Sequence, residues 1–282
     1  MPPFVLAVTR HAESIFGEEM GMLSFLTNSS VVALLVLGIV MFIARKATSN
    51  MTLVPNKWQN GFEALVEFLY DKVSDLVGPK VAPKAFPLLA TLFVFILVSN
   101  YFGLLPGVGT IGFGHGNGFL SLEHVDRPLL RPATADLNMT LGLAACAMIL
   151  WLVITIREVG VWGFVVHTFG PKGGLKGFVG MMVALVFLFV GVLEIVSIAI
   201  RPVTLSLRLF GNVFAGETVL HTMSGMGGFI GSVLAPLPFY FMELLVGLLQ
   251  AIVFTMLCAV YIQLSTAHDE EHGHDEAGHD AH

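Results

Sequence analysis

The sequence predicts an all-α polytopic membrane protein, with five membrane-crossing helices and one amphipathic interfacial helix. Of its 282 residues, 55% are hydrophobic and only 12% are charged, and the mean hydropathy is +0.82. Apolar runs recur along the chain at the length of about 20 residues that crosses a bilayer core. This composition excludes a soluble two-domain protein.

The first two predicted helices differ in character. A membrane span covers residues 22–44 and is followed by Arg45 and Lys46, a dibasic stop typical of a cytoplasmic flank. In residues 58–77, apolar side chains recur every three or four positions with acids opposite them, which predicts an amphipathic helix. We expect this helix to lie in the membrane interface, although the pattern also fits an ordinary core helix.

Two further spans are predicted at residues 85–105 and 136–156. The second carries Asp136 and Asn138 at its outer end, with Thr134 just before it. We interpret Asp136 or Thr134 as the helix cap. A direct proton role for Asp136 and Asn138 stays an alternative.

The last two apolar stretches, residues 178–220 and 229–264, are too long for upright spans. The first would be about 64 Å long as a helix, against a hydrocarbon core of about 30 Å. It must therefore lie steeply tilted or break, for example near Pro202. A glycine-rich turn at residues 221–228 joins the two.

Lysine and arginine are distributed unequally between the two sides of the predicted membrane region. One side holds nine of them, Arg45, Lys46, Lys57, Lys72, Lys80, Lys84, Arg157, Lys172 and Lys176. The other side holds Arg10, Arg127 and Arg131. Because positive charge is retained in the cytoplasm, the N-terminus is predicted outside and the C-terminus inside.

A single membrane domain is predicted over residues 1–282, with an outer N-terminal segment at 1–21 and the helical membrane region at 22–264. The remaining residues, 265–282, form an acidic, histidine-rich tail. The tail holds six acids and no lysine or arginine, which accounts for the net charge of −6. We expect it to be disordered, with metal binding by its histidines as the alternative.

No metal site, cofactor or nucleic-acid partner is predicted. Cys146 and Cys258 fall inside apolar runs without CxxC spacing, and we interpret them as small core hydrophobes. His115, His124 and Asp126 lie in a glycine-rich loop, and their spacing fits no familiar ligand set. We interpret this loop as solvated.

Charged residues inside the longest apolar stretch indicate a function. On a helix turning about 100° per residue, Arg201 lies about 20° and Glu194 about 40° from Arg208, and Asn212 follows one turn later. These residues form one polar stripe, while Glu217 faces about 180° away from Arg208. Ionisable groups at membrane depth are costly and mark an ion pathway by default. A snorkelling arginine near a helix end is the alternative.

The last two stretches are expected to form an antiparallel hairpin centred near residue 230. Glu217 then meets Glu243, and Arg208 meets the neighbourhood of Gln250. Two carboxylates at low dielectric cannot readily both ionise, so this pair should hold a proton and pass it on. Arg208 keeps its proton in practice and acts as a fixed charge.

A long, specific motif surrounds Arg208. It consists of Arg201-Pro202, Leu205-Ser206-Leu207-Arg208-Leu209-Phe210-Gly211-Asn212 and Ala215-Gly216-Glu217. It resembles the signature of subunit a, the membrane stator of rotary ATP synthases. Further matches are residues 87–106, Thr134-Ala135-Asp136-Leu137-Asn138, and the last helix with Glu243 and Gln250.

The resemblance implies a proton-translocating stator that is not an enzyme on its own. It would form two aqueous half-channels against a rotating ring of c subunits, and it would contact peripheral-stalk b subunits, the rest of the complex and lipid. Arg208 would attract the ionised ring carboxylate and block direct proton flow between the half-channels. The other implied path residues are Glu217, Glu243, Asn212 and Gln250 on the outer side and Glu194 on the exit side, with Arg201, Asp136 and Asn138 as channel lining or helix caps.

Three alternatives remain open from the sequence. The subunit could carry sodium ions, because the ion-binding site would lie mostly on the ring. A self-contained cation transporter also keeps charges at mid-membrane, although it usually shows two related halves, and no internal repeat is visible. A structural scaffold would not need the intramembrane charges. The resemblance implies a bacterial cell inner membrane, with an organellar inner membrane as the alternative.

Overall fold

The computed structural model describes residues 27–49, 57–105, 108, 112–113, 127–128, 131–169, 178–225 and 229–266. Within these ranges the chain forms seven α-helices, α1 (Asn28–Thr48), α2 (Lys57–Val77), α3 (Ala82–Gly103), α4 (Leu137–Phe169), α5 (Phe178–Ser224), α6 (Phe229–Leu234) and α7 (Leu237–Thr266). A 3-10 helix, Ala133–Ala135, precedes α4. Two short strands, β1 (Gly112–Phe113) and β2 (Arg127–Pro128), pair antiparallel.

Five of the described helices are long and apolar enough to cross a membrane. They are α1, α3 and the Leu137–Val161, Leu185–Ser224 and Leu237–Ser265 parts of α4, α5 and α7. This confirms the predicted all-α polytopic class. The first span begins at Asn28, where Thr27 Oγ1 accepts a hydrogen bond from the Ser30 amide.

Several predictions concern residues outside the described ranges. They are the outer segment at 1–21, the loop residues His115, His124 and Asp126, the basic residues Lys172 and Lys176, and the tail beyond residue 266.

Helix α2 confirms the amphipathic pattern predicted for residues 58–77. Leu69 and Val77 are buried in the core beside α3 and α7, whereas Trp58 is exposed. The Lys46 ammonium at the end of α1 lies 4.8 Å from the centroid of the Trp58 ring, a cation–π contact that joins the two helices. The position of α2 in the membrane interface stays a prediction.

The hydrophobic core lies between α2, α3, α4, α5 and α7. Phe93 of α3 and Phe254 of α7 are among its largest buried side chains, and α5 contributes Leu205 and Leu209. In lipid such contacts act through close packing, because the surrounding tails are as apolar as the core. The side of α5 that carries Leu207 is uncovered and forms an apolar surface.

Helix α5 confirms the prediction of an overlong helix. Its 47 residues run without interruption through Pro202 and extend about 70 Å. The alternative of a break near Pro202 is therefore wrong. A proline costs one hydrogen bond to the preceding turn, and the other bonds of a long helix hold the segment in helical geometry.

The last apolar stretch is divided, which corrects the prediction of one overlong helix over residues 229–264. Helix α6 ends at Leu234, and α7 begins at Leu237 after a turn at Ala235 and Pro236. Pro236 has no amide hydrogen and its ring collides with the preceding turn, so a helix ends before it and a new one begins after it. The remaining α7 is about 45 Å long and still exceeds the bilayer core.

Helix α4 continues past its predicted end at residue 156 and bends at Gly160. This glycine has φ 80° and ψ 156°, far from helical values. Before the bend, Glu158 accepts a 2.6 Å hydrogen bond from Lys84 at the start of α3. The bend allows the last turns of α4 to leave the line of the membrane span.

The Gly160→Ala variant tests this bend. A side chain at such a backbone conformation costs about 1–3 kcal/mol, so we expect the free energy of unfolding to fall by that amount. Gly142→Ala in the same helix is the control, because its Cβ would meet open space and alanine favours a regular helix. Denaturant titration of the purified protein, followed by circular dichroism, measures both. Equal stability of the two variants would contradict a fixed bend.

Candidate functional site

Arg208 lies inside α5, roughly 24 Å before the helix end at Ser224. It is exposed beside Leu207, while Leu205 and Leu209 turn into the core. Within the described part of the chain, Arg208 has neither a hydrogen bond nor an ion pair. A fixed positive charge therefore points outward from an apolar surface.

Asn212 and Gln250 connect α5 to α7. The Asn212 Nδ2 group donates a 2.7 Å hydrogen bond to Gln250 Oε1, and Gln250 is only 4% exposed. This pair agrees with the predicted hairpin register to within two residues. Arg208 lies one turn from Asn212 and makes no hydrogen bond to Gln250, whose Nε2 is buried without a partner.

Glu217 and Glu243 lie nearer than Asn212 and Gln250 to the connection between α5 and α7. The Glu243 carboxyl group packs against Gly216, so closely that a Cβ atom at Gly216 would collide with it. One carboxyl oxygen of Glu217 is buried and has no hydrogen-bond partner. The two glutamates are thus adjacent in register, but in the described residues no hydrogen bond joins their carboxyl groups. A shared proton stays a prediction.

Arg131 and His221 are further members of this group that sequence reasoning missed. Both interact electrostatically with Glu217. Arg131 is buried just before the 3-10 helix, where it also donates a 3.2 Å hydrogen bond to the Ala135 carbonyl. His221 follows Glu217 by four residues and so shares its helix face. Two features of the sequence could have indicated these residues. His221 follows Glu217 by four residues, and Arg131 lies just before the Asp136 motif.

Asn100 of α3 is a third polar residue that sequence reasoning missed. Its Nδ2 group donates a 3.2 Å hydrogen bond to the Gly247 carbonyl of α7, and its Oδ1 is buried without a partner. The two helices approach closely here, because a Cβ atom at Gly247 would lie 3.3 Å from Asn100 Cβ. Asn100 therefore brings a hydrogen-bonding side chain to α7 between Glu243 and Gln250.

Asp136 and Asn138 lie at the start of α4. Asp136 is buried, and its Oδ1 accepts a 3.1 Å hydrogen bond from the Asn138 amide. This is the geometry of a helix N-cap. The Asn138 side chain is exposed.

Glu194 lies in the first half of α5 and Arg201 at its middle, and both line one cavity with Trp151. The Arg201 guanidinium lies 4.5 Å from the Tyr261 ring centroid and 5.7 Å from that of Trp151. The predicted stripe is therefore divided. Glu194 and Arg201 turn toward α4 and α7, whereas Arg208 is left uncovered.

The ionisable side chains thus form two groups separated along α5. Glu194 lies about 21 Å from Arg208 along the helix axis, and Glu217 lies about 13 Å from Arg208 in the other direction. Carboxyl groups can take up and release protons, and an arginine guanidinium cannot. The helix therefore carries two carboxyl-bearing regions with a permanent cation between them.

Comparison with known proteins gives the family. A sequence profile described as ATP synthase A chain matches residues 26–263. The chain belongs to the ATP synthase A chain family. It is accordingly a multi-pass membrane protein and a component of the membrane sector of the ATP synthase complex.

Individual relatives cover most of the chain. The protein named ATP synthase subunit a of Protochlamydia amoebophila is 34% identical over 245 residues, which cover 83% of this chain and 79% of the relative. The protein of the same name from Mycobacterium ulcerans is 32% identical over 87% of both chains. The one from Desulfotalea psychrophila is 32% identical over 85% of this chain and 83% of its own length.

The contact between Gly216 and Glu243 gives a test of the site. Gly216→Ala should displace the flexible Glu243 carboxyl group and lower ATP synthesis by about tenfold, which corresponds to about 1.4 kcal/mol. Assembly should be retained, because the displaced atoms are the end of a side chain. ATP synthesis driven by an imposed ion gradient in membrane vesicles measures the effect.

Gly38→Ala in α1 is the matched control, since its Cβ would meet open space. The double variant Gly216→Ala/Glu243→Asp should recover part of the loss because the shorter side chain leaves room for the methyl group. Unchanged synthesis in Gly216→Ala would show that the position of this carboxyl group does not matter.

Proposed function

We propose that this chain is the proton-translocating stator of an ATP synthase, a non-catalytic subunit that passes protons to and from a rotating ring of c subunits. The observation that carries the proposal is Arg208, which is exposed on the apolar surface of α5 and has no partner in the described residues. Family membership makes such a ring the natural neighbour of this surface.

An arginine in this position needs a counter-charge from outside the chain. An unpaired charge that faces lipid costs several kcal/mol, and the guanidinium cannot lose its proton to escape that cost. A carboxylate on a neighbouring subunit would satisfy it. A self-contained transporter would keep both charges in one chain, so the solitary Arg208 favours the stator over that alternative.

The same charge can separate two half-channels. A ring carboxylate that has lost its proton is attracted to Arg208, and it must take up a proton again to move on into lipid. Arg208 itself carries no proton across, because it does not titrate. Protons must then travel with the ring, so their flow is coupled to rotation.

The outer half-channel is proposed to contain Glu217, Glu243, Asn212 and Gln250. The two glutamates are the groups that exchange protons, and the Asn212 to Gln250 hydrogen bond fixes the distance between the helices on which they lie. Arg131 and His221 lie beside Glu217 and complete this region. Glu194, on the other side of Arg208 along α5, is proposed as the exit group.

The orientation of the chain in the membrane is proposed from the distribution of lysine and arginine. The side with nine of these residues is proposed as cytoplasmic, so the Glu217 end of α5 faces outward. The membrane is proposed to be a bacterial inner membrane, in keeping with the organisms of the relatives. Each proton crossing 100 mV would release about 2.3 kcal/mol, and successive ring steps would sum this into torque. The proposed partners are the c-ring and peripheral-stalk b subunits.

Replacing Arg208 tests the proposal. Arg208→Ala should abolish ATP-driven proton pumping in inverted vesicles while the complex still assembles, since the ring carboxylate loses its counter-charge. Arg208→Lys should restore little, because an ammonium group can lose its proton when buried. Lys72→Ala on the exposed face of α2 removes a positive charge elsewhere and should pump normally.

The outcomes separate the candidate functions. Normal pumping by Arg208→Ala would refute the stator proposal. Pumping that requires sodium and persists when the proton gradient is dissipated would identify the sodium-translocating alternative. Transport by the purified chain without the ring would identify a self-contained transporter.

The two outer glutamates should act as one unit. The variants Glu217→Gln and Glu243→Gln should each lower pumping, and the double variant should lose little more than the worse single one, because both substitutions interrupt one proton path. Initial pumping rates of all four proteins in inverted vesicles provide the comparison. Losses that multiply would mean that the carboxyl groups serve independent steps.

A further inference from the structure

The cavity beside the middle of α5 is large enough to hold water. It leaves about 40 Å³ in which the centre of a water molecule can lie, and one water needs roughly 10–15 Å³ by this measure. Its lining combines Glu194, Arg201 and Ser265 with apolar and aromatic side chains. Two or three waters with polar partners therefore fit between α4, α5 and α7.

Arg201 is held in this cavity by aromatic rings. Tyr261 of α7 and Trp151 of α4 both lie within cation–π distance of the guanidinium, at 4.5 Å and 5.7 Å. Such contacts use the positive charge and leave the N–H groups at the edge of the guanidinium available. Within the described residues, none of these N–H groups donates to a protein atom.

The spacing of Arg201 and Glu194 suits a short chain of water. They lie two helical turns apart on nearly the same face of α5, about 10 Å along the axis. In the described residues no ion pair joins the two side chains, and both line the cavity in which the waters fit. The guanidinium only donates hydrogen bonds and the carboxylate only accepts them, so the water chain would have a fixed direction.

We propose that Arg201, clamped between Trp151 and Tyr261, is a positioning residue that orders water at Glu194 and so speeds proton release. The proposal rests on the proposed function, in which Glu194 is the exit group. A proton arriving through the ordered waters is taken up by the Glu194 carboxylate and passed to bulk water, which restores the carboxylate. Arg201 keeps its own proton throughout.

If Arg201 had only a structural role, its contacts with Trp151 and Tyr261 would hold α4, α5 and α7 together without affecting proton transfer. Arg201→Met distinguishes the two roles, because methionine packs well against aromatic rings but brings neither charge nor N–H donors. Arg201→Lys keeps the charge and three donors. Leu264→Met changes the apolar lining of the same cavity and serves as the matched control.

The first experiment measures ATP-driven proton pumping by the whole complex in vesicles. We expect Arg201→Met to assemble and to pump about tenfold more slowly, Arg201→Lys to recover at least half of the wild-type rate, and Leu264→Met to stay within twofold of it. Wild-type pumping by Arg201→Met would overturn the proposal. If Arg201→Met does not assemble, the pumping rates of Tyr261→Leu and Tyr261→Phe are compared instead. Only Tyr261→Phe keeps an aromatic ring against Arg201. Equal pumping by these two would then overturn it.

The second experiment measures water in the cavity. Ile198 lines it one turn from both Glu194 and Arg201, so Ile198→Cys, in a chain with Cys146→Ser and Cys258→Ala, places a thiol there. A small charged thiol reagent should label it in the whole complex, and Arg201→Met should slow labelling about tenfold. No labelling with Arg201 present, or equal labelling without it, would contradict ordered water.

Failure of this inference is distinguishable from failure of the proposed function. If Arg208→Ala stops pumping but Arg201→Met does not, the stator remains and the role of Arg201 is refuted. If Arg208→Ala pumps normally, the proposed function itself fails.

Discussion

The absence of water in a bilayer core constrains every part of this structure. Backbone groups must be paired within helices there, and each polar side chain needs a partner or a functional reason to lack one. The described helices meet this constraint in different ways. Asn212 and Gln250 bond to each other, Asn100 bonds to the Gly247 carbonyl, and Arg201 lies between two aromatic rings. Arg208 has no such partner in the described residues, and under the proposed function it meets a carboxylate of the neighbouring ring.

Helix α5 connects the two ends of the proposed ion path because it is continuous. One rigid element carries Glu194, Arg201, Arg208 and Glu217, so their separations along the axis are fixed by the helix repeat. The neighbouring helices differ in their geometry beside these charged residues. Helix α4 bends at Gly160 beside the cavity that holds Arg201, and α7 approaches α5 closely where Glu243 packs on Gly216. Small residues at these points decide where side chains of the neighbouring helices fit.

Much of the fold was predictable because apolar runs of span length have few alternatives in sequence. The five spans, the amphipathic α2 and the overlong α5 follow from periodicity and length alone. The division of the last stretch at Pro236 was missed because apolar composition continues through it. Within the site, the symmetry of the predicted hairpin placed Arg208 in the neighbourhood of Gln250, and the structure gives that hydrogen bond to Asn212, one turn further along α5. Arg131, His221 and the aromatic clamp on Arg201 depend on contacts between helices distant in sequence, which periodicity does not reveal.

The hydrogen bond between Asn212 and Gln250 has a consequence for how the subunit responds to changes in pH and membrane voltage. Both partners are amides, which neither titrate in the physiological range nor carry net charge. Changes in pH on either side of the membrane, or in the voltage across it, therefore exert no direct force on this link. The two helices are joined here by a neutral hydrogen bond, which under the proposed function is unchanged while the carboxyl groups around it gain and lose protons. This link between the helices is therefore insensitive to the gradients that would drive the proposed ion path.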